Sequence, residues 1–132
     1  VFKKVPIDTR KRIEFIDITA RVKAIVKETS LQDGLVIVYV PHTTAAVTIN
    51  EHADPSVVLD MLGYLNNIVP ENAGYKHLEG NSDAHIKASL IGASVQIPLV
   101  GGELMLGTWQ GIFFCEFDGP RRRTFFVSIL PG

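Results

Sequence analysis

The chain has 132 residues, 46% of them hydrophobic, which supports one hydrophobic core and leaves no room for a second domain. Thirteen basic against fourteen acidic side chains leave a net charge of -1, which argues against a general nucleic-acid binder. A single cysteine, Cys115, excludes an intramolecular disulfide, and no segment is long and apolar enough for a membrane-spanning helix.

The start, Val1-Phe2-Lys3-Lys4, lacks the apolar core of a signal peptide, so a soluble cytoplasmic protein is expected. Phe2 to Thr9 mixes apolar and polar positions as an exposed strand does, with Pro6 restricting it to an edge, and Arg12 to Ile16 is expected to pair with it. Ile18, Val22, Ile25 and Val26 repeat at helical spacing, capped by Asp17 or Thr19 and ended before Asp33-Gly34. Leu35 to Val40 is a continuous β-branched run that reads as a central strand covered on both faces. Pro41 ends it, and His42-Thr43-Thr44 follow, where a strand fixes the backbone and leaves polar side chains free to form a site. Val47 to Asn50 is expected as a neighbouring strand.

Asp54-Pro55 is a helix start, a capping side chain followed by proline at the first helical position, and Val58, Met61, Leu62 and Leu65 continue an amphipathic helix up to Pro70. The stretch His77 to Gly92 then concentrates the chain's reactive side chains. Asn81 or Ser82 is expected to cap a helix ending near Gly92, and the N–H groups at its start suit a phosphate or carboxylate. At helical spacing Ile86 and Leu90 point to the core, and Ser82, His85 and Ser89 lie along the edge of that stripe. Beyond it, Val95 to Leu99, Glu103 to Leu106, Ile112 to Phe117 and Thr124 to Leu130 read as strands separated by glycine-rich turns. Cys115 lies inside one of these runs and reads as a small buried hydrophobe. The class is therefore α+β, one compact domain over 1–132 with a mixed, mostly antiparallel sheet and about three helices.

The histidines His42, His52, His77 and His85 raise metal binding or proton transfer, although their spacing matches no metal motif. Surface or structural histidines are the alternative. Glu51, Asp54, Asp60, Glu79 and Asp83 surround the same segments and could orient imidazoles or bind magnesium; Asp54 equally reads as a cap, and Asp83 as a dipole partner. In Gly107-Thr108-Trp109-Gln110-Gly111 the tryptophan could stack on a ligand and Gln110 hydrogen-bond it, or Trp109 could be a core or interface anchor. Arg121 could grip a phosphate, or pair with Asp118. No glycine-rich phosphate loop, nucleophile elbow or dinucleotide fingerprint is present.

Pro41-His42-Thr43-Thr44-Ala45-Ala46, Asn50-Glu51, His77 with Glu79-Gly80-Asn81, Asp83-Ala84-His85, Gly107-Thr108-Trp109-Gln110 and Glu116-Phe117-Asp118-Gly119-Pro120-Arg121 together resemble the YjbQ-like family, also called the secondary thiamine-phosphate synthase family. The resemblance covers nearly the whole chain, with Ser82 standing where alanine is expected. It implies a homotrimer with polar clusters near subunit boundaries, and a weak transferase that joins a pyrimidine-methyl diphosphate to a thiazole phosphate with loss of pyrophosphate. Against that chemistry, His42, His77 and His85 stand as ligands for a divalent ion, Mg or Zn, and His42, His85 and Glu51 as acid–base groups. Thr43, Thr44, Asn81, Lys87, Trp109, Gln110 and Arg121 stand as contacts to a small phosphorylated substrate. No organic cofactor, nucleic acid or membrane partner is expected. A metal-dependent hydrolase of a small phosphorylated or acyl compound and a non-catalytic trimeric ligand-binding module are the alternatives.

Overall fold

The computed structural model describes residues 1–132. Its elements are β1 (Phe2–Asp8), β2 (Glu14–Asp17), α1 (Thr19–Thr29), β3 (Gly34–Tyr39), β4 (Ala45–Glu51), α2 (Pro55–Ile68), α3 (Ser82–Ile91), β5 (Ser94–Val100), β6 (Glu103–Leu104), β7 (Gln110–Glu116) and β8 (Arg122–Pro131). They form two antiparallel sheets, one of five strands in the order β1-β8-β3-β5-β6 and one of three in the order β2-β7-β4. The α+β class and the three helices hold.

Alternation along the strands builds the core between the two sheets. Val5, Ile7, Val36, Val38, Val127 and Ile129 come from the large sheet, Val47, Ile112 and Phe114 from the small one, Val22 and Val26 from α1, and Ile18 from the residue before it, all buried in one cluster. A second cluster lies on the other face of the small sheet, where Ala46, Phe113, Cys115 and Phe117 meet Ala84 and Ala88 of α3, with Val58 and Leu65 of α2 against them. The small sheet is therefore covered on both faces, and β7 is buried along almost its whole length.

Two pairing expectations and one of burial are corrected. Residues 12–16 do not pair with the first strand: the chain crosses between sheets after Thr9, Glu14 accepts the Arg10 and Lys11 N–H groups at 2.6 and 2.9 Å to fix the turn, and β2 pairs with β7. β4 lies beside β7 rather than beside β3. β3 is central in its sheet but is covered on one face only. Its other face carries Tyr39, which stacks on Phe126 at 6.2 Å beside Phe2 at 5.1 Å, and Phe2 and Tyr39 are exposed.

The helices depart from simple amphipathic packing. Asp54 caps α2 as expected, its Oδ1 accepting the Ser56 N–H at 2.9 Å, yet no α2 residue is fully buried and Leu59, Tyr64 and Ile68 face solvent. In α3 the inward face is Asp83, Ala84, Lys87 and Ala88, and the expected core positions Ile86 and Leu90 are exposed. The apolar partner of α3 is a sheet face already filled by phenylalanines, so alanines fit against it.

Candidate functional site

Three connections meet at one end of the small sheet: residues 41–44 between β3 and β4, residues 77–81 leading into α3, and residues 117–121 between β7 and β8. They enclose a hollow of about 570 Å³ whose lining is wholly polar, with Thr43, His77, Glu79, Asn81, His85 and Arg121 around it. A neighbouring hollow of about 520 Å³ shares Thr43 and His85 with it and adds His42 and Ser89. The two form one cleft divided by His85. The His77 and His85 rings meet edge to face at 5.6 Å, and His77 Nε2 lies 3.8 Å from Glu79 Oε2.

Beneath this mouth the polar groups are buried and paired. Arg123 and Glu116 form an ion pair with almost no exposure, Arg123 Nε donating to Glu116 Oε1 at 2.8 Å and Nη2 to Oε2. The same guanidinium donates to Thr44 Oγ1 at 2.8 Å, Thr9 Oγ1 donates to Glu116 Oε1 at 2.7 Å, and the Asp118 N–H donates to Glu116 Oε2 at 3.0 Å. Burial alone would raise the Glu116 carboxyl; the hydrogen bonds from Arg123, Asp118 and Thr9 outweigh it and hold Glu116 below its ordinary range. Through these bonds one ion pair fixes both the Thr44 end of β4 and the turn that carries Asp118 and Arg121.

A second buried network anchors α3. Asp83, fully buried in its first turn, accepts two hydrogen bonds from Arg12 at 2.9 and 3.2 Å and one from Lys87 at 3.1 Å, and Lys87 Nζ also donates to Asn66 Oδ1 at 2.8 Å. Burial pushes the Asp83 carboxyl up, and these partners more than offset it, leaving it below its usual value. Lys87, expected as a substrate countercharge, therefore points into the protein and is neutralised by Asp83. Thr44, expected as a phosphate contact, is likewise buried and bonded to Arg123.

The remaining expected residues divide by position. His42 Nε2 lies 3.0 Å from the Thr124 nitrogen and 3.1 Å from the Thr124 carbonyl oxygen, so either ring tautomer finds a partner there and the imidazole is bound to the β8 backbone rather than free in the cleft. Burial first, and then the Arg123 charge, hold its pKa below the ordinary value. No group of three or more His, Cys, Asp or Glu side chains is disposed to hold a metal, because His42 is turned to the β8 backbone while His77 and His85 face each other. Asn81 sits at the α3 N-cap position without capping; its Nδ2 donates to Asp118 Oδ2 at 2.8 Å, and its Oδ1 is buried with no partner. Arg121 is half-exposed, paired with Asp118 at 3.1 Å and open to the hollow.

Glu51, Trp109 and Gln110 are not part of this cleft. β4 runs from Ala45 to Glu51, which places Glu51 roughly 20 Å from the Thr44 end at about 3.3 Å per residue, and Gln110 pairs with Glu51 there. Gln110 Oε1 accepts the Gly107 N–H at 2.8 Å and closes its own turn, and Trp109 is largely exposed. At that far end His52 Nδ1 lies 2.8 Å from Asp17 Oδ2, a pair that sequence reading missed because 35 residues separate the two. Arg12 and Arg123 were missed for a similar reason: an arginine in a loop or at a strand end reads as solvated unless its buried partner is known.

The chain matches the family model for UPF0047 protein YjbQ-like over residues 3–132. UPF0047 protein MJ1081 of Methanocaldococcus jannaschii is 54% identical over 96% of this chain and 92% of that protein, and UPF0047 protein YugU of Bacillus subtilis is 49% identical over 98% and 99%. Among solved structures, a YjbQ/UPF0047 family protein from Clostridium acetobutylicum superposes with a TM-score of 0.95 at 53% identity, covering 97% of this chain and 99% of its own. A protein of unknown function from Sulfolobus solfataricus gives 0.96 at 34% identity, covering 100% and 97%. The chain belongs to the YjbQ-like UPF0047 family.

Proposed function

We propose, with membership of this family as the premise, that the cleft binds a small phosphorylated compound and transfers its activated group. The reading assigned is a weak thiamine-phosphate synthase-like transferase: the ring nitrogen of a thiazole phosphate attacks the methylene carbon of a pyrimidine-methyl diphosphate, the C–N bond forms, and the C–O bond breaks with pyrophosphate leaving. Such a carbon ionises readily, so the protein's task is to neutralise the departing charge, not to supply a nucleophile. The observation that carries the reading is the wholly polar hollow with Arg121, His77 and His85 around an open mouth. Arg121, whose Nε and Nη2 donate to Asp118, would exchange that exposed partner for the diphosphate, and the two imidazoles would add further donors when protonated. Asn81 Oδ1, buried without a partner, favours a ligand that brings a donor, as an aminopyrimidine does.

A divalent ion, Mg²⁺ or Zn²⁺, belongs to this reading as one that enters with the diphosphate; the donors nearest each other are His77, Glu79 and His85. The His77–Glu79 pair in the polar hollow favours the second reading, hydrolysis of a small phosphorylated or acyl compound. We also assign the exposed apolar side chains of α2, of α3 and of the outer β3 face to contacts between copies in a cytoplasmic homotrimer, checked by light scattering of the purified protein.

The test supplies both half-substrates with Mg²⁺ and follows thiamine phosphate and pyrophosphate together. Product in equal amounts is expected, with Arg121→Ala lowering turnover about 100-fold. No product under conditions where a known synthase works in parallel sinks the transferase. Phosphate release from one half-substrate alone points to the hydrolase.

A further inference from the structure

At the end of the small sheet away from the cleft, the C-terminus of β2, the start of α1 and the end of β4 bring Asp17, Thr19, Lys23 and His52 around a second hollow of about 420 Å³. His52 is held there on three sides. Its backbone N–H donates to the Trp109 carbonyl at 3.0 Å, and its ring lies flat against Gly111, where a Cβ would fall 2.3 Å from Nδ1. Its Nδ1 is 2.8 Å from Asp17 Oδ2. Asp17 is itself fixed, since Oδ1 accepts both the Thr19 N–H at 2.9 Å and the Thr19 hydroxyl at 2.6 Å, and the Thr19 hydroxyl oxygen accepts the Ile112 N–H at 2.8 Å. A strand amide thus holds a threonine, the threonine holds a carboxylate, and the carboxylate holds an imidazole.

The consequence is chemical. An ionised Asp17 accepts from Nδ1–H, which sets the tautomer and leaves Nε2 as the ring atom free to meet a ligand. Both Asp17 oxygens are engaged, Oδ1 by Thr19 twice and Oδ2 by the His52 ring, which turns the carboxylate toward the imidazole. Lys23, exposed on α1, lines the same hollow. With Nδ1–H given to Asp17, the neutral ring turns an acceptor Nε2 outward, and with Lys23 lining the same hollow it suits an oxyanion that carries a proton of its own: hydrogen phosphate or a phosphate monoester donates its O–H to Nε2 while its other oxygens accept from Lys23. A carboxylate has no such proton at neutral pH and finds an acceptor facing it.

We propose that Asp17, Lys23 and His52 form a second, phosphate-binding site, separate from the cleft at His42, His77 and His85, with His52 Nε2 sharing the phosphate proton and Asp17 positioning the imidazole. The proposal does not depend on the transferase reading. It is tested on the whole ¹⁵N-labelled chain by long-range imidazole NMR spectra at neutral pH during titration with inorganic phosphate, and with acetate at matched ionic strength. Wild-type His52 is expected as the Nδ1–H tautomer, with an Nε2 signal that moves saturably with phosphate and little with acetate. Lys23→Ala is expected to weaken the phosphate response about fivefold or more. Asp17→Asn should mix the tautomers and weaken it as well, and Gly111→Ala should abolish it by displacing the ring. His85→Ala, in the other cleft, should leave the His52 response unchanged. An unmoved His52 signal in the folded wild type, an equal response to acetate, or a full response in Lys23→Ala overturns the proposal.

Discussion

Glu116 and Arg123 under the cleft, and Glu79 and Arg121 at its mouth, are the same two pairs of residue types in opposite circumstances. Below, each charge is out of contact with water and each is fully paired, with Thr9 and Thr44 taking the remaining hydrogen bonds. Above, Arg121 is half-exposed and Glu79 more so, Arg121 held by two hydrogen bonds to Asp118 alone and Glu79 by a single contact to His77. A buried pair cannot exchange partners without stranding a charge, so it fixes position; an exposed pair exchanges its partner for a ligand at little cost. On the proposed reading, the floor positions and the rim recognises. Lys87, expected as a substrate contact, resembles the floor in being buried and paired, with Asp83 and Asn66 as its partners.

The largest effect expected is on the floor. Arg123→Ala leaves Glu116 buried and unpaired and is expected to lower unfolding free energy by about 3–5 kcal/mol, read from urea denaturation. The double replacement Arg123→Met with Glu116→Leu should recover most of that loss, because both charges then leave together. A small effect of Arg123→Ala alone would remove the distinction between floor and rim. Lys87→Met comes next, at about 1–2 kcal/mol, since Asp83 keeps Arg12. Phosphate binding to the mouth, measured by calorimetry, should be unchanged in that variant; a weakened affinity would return Lys87 to the substrate contacts.

Acid sharpens the same contrast. Glu116 and Asp83 have folded pKa values below their unfolded ones, so in the interval between the two the unfolded chain binds more protons and stability rises with pH. Their contribution is complete above the unfolded values of about 4.3 and 3.9 and is lost as pH falls through the folded ones. His42 acts in the same direction at higher pH: its folded value is depressed, so the unfolded imidazole takes its proton first as pH drops below about 6.5. Urea midpoints measured from neutral to acid pH should therefore fall in two stages, the upper one missing in His42→Gln and the lower one reduced in Glu116→Gln. A single acid stage unaffected by His42→Gln would contradict the neutral, backbone-bonded His42.

What the sequence revealed follows the range of the interactions. Helix α1, the Asp54 cap of α2 and the run of β3 are set by neighbours a few residues apart, and they stand where spacing puts them. The inward face of α3 was misread because Asp83 and Lys87, at the i,i+4 spacing of an ordinary surface pair, are the buried ones. Ile86 and Leu90 looked like core because periodicity reports an apolar face without saying what covers it. The loops carrying His42, His77 and Arg121 and the helix start carrying His85 could be named from sequence, since each adjoins a break between regular elements. Their convergence depends on β4 leaving β3 for the other sheet, a pairing that no local pattern records.

The smallest stability effects are expected at the rim, and they are the most informative for function. His85→Ala removes a half-buried ring that has one edge contact with His77, and Arg121→Ala removes an exposed pair with Asp118. Each should change unfolding free energy by no more than about 1 kcal/mol. If the mouth is where a phosphorylated ligand is held, the same two variants should weaken phosphate binding about tenfold or more, since each takes away a donor aimed at the ligand and leaves the platform beneath it intact. Should both variants unfold as readily as Arg123→Ala, the rim would be structural and any loss of binding would say nothing about recognition. Should both remain stable and bind phosphate as well as the parent chain, the hollow would be polar for a reason other than ligand binding, and the Asp17–His52 end of the sheet would become the better place to look for one.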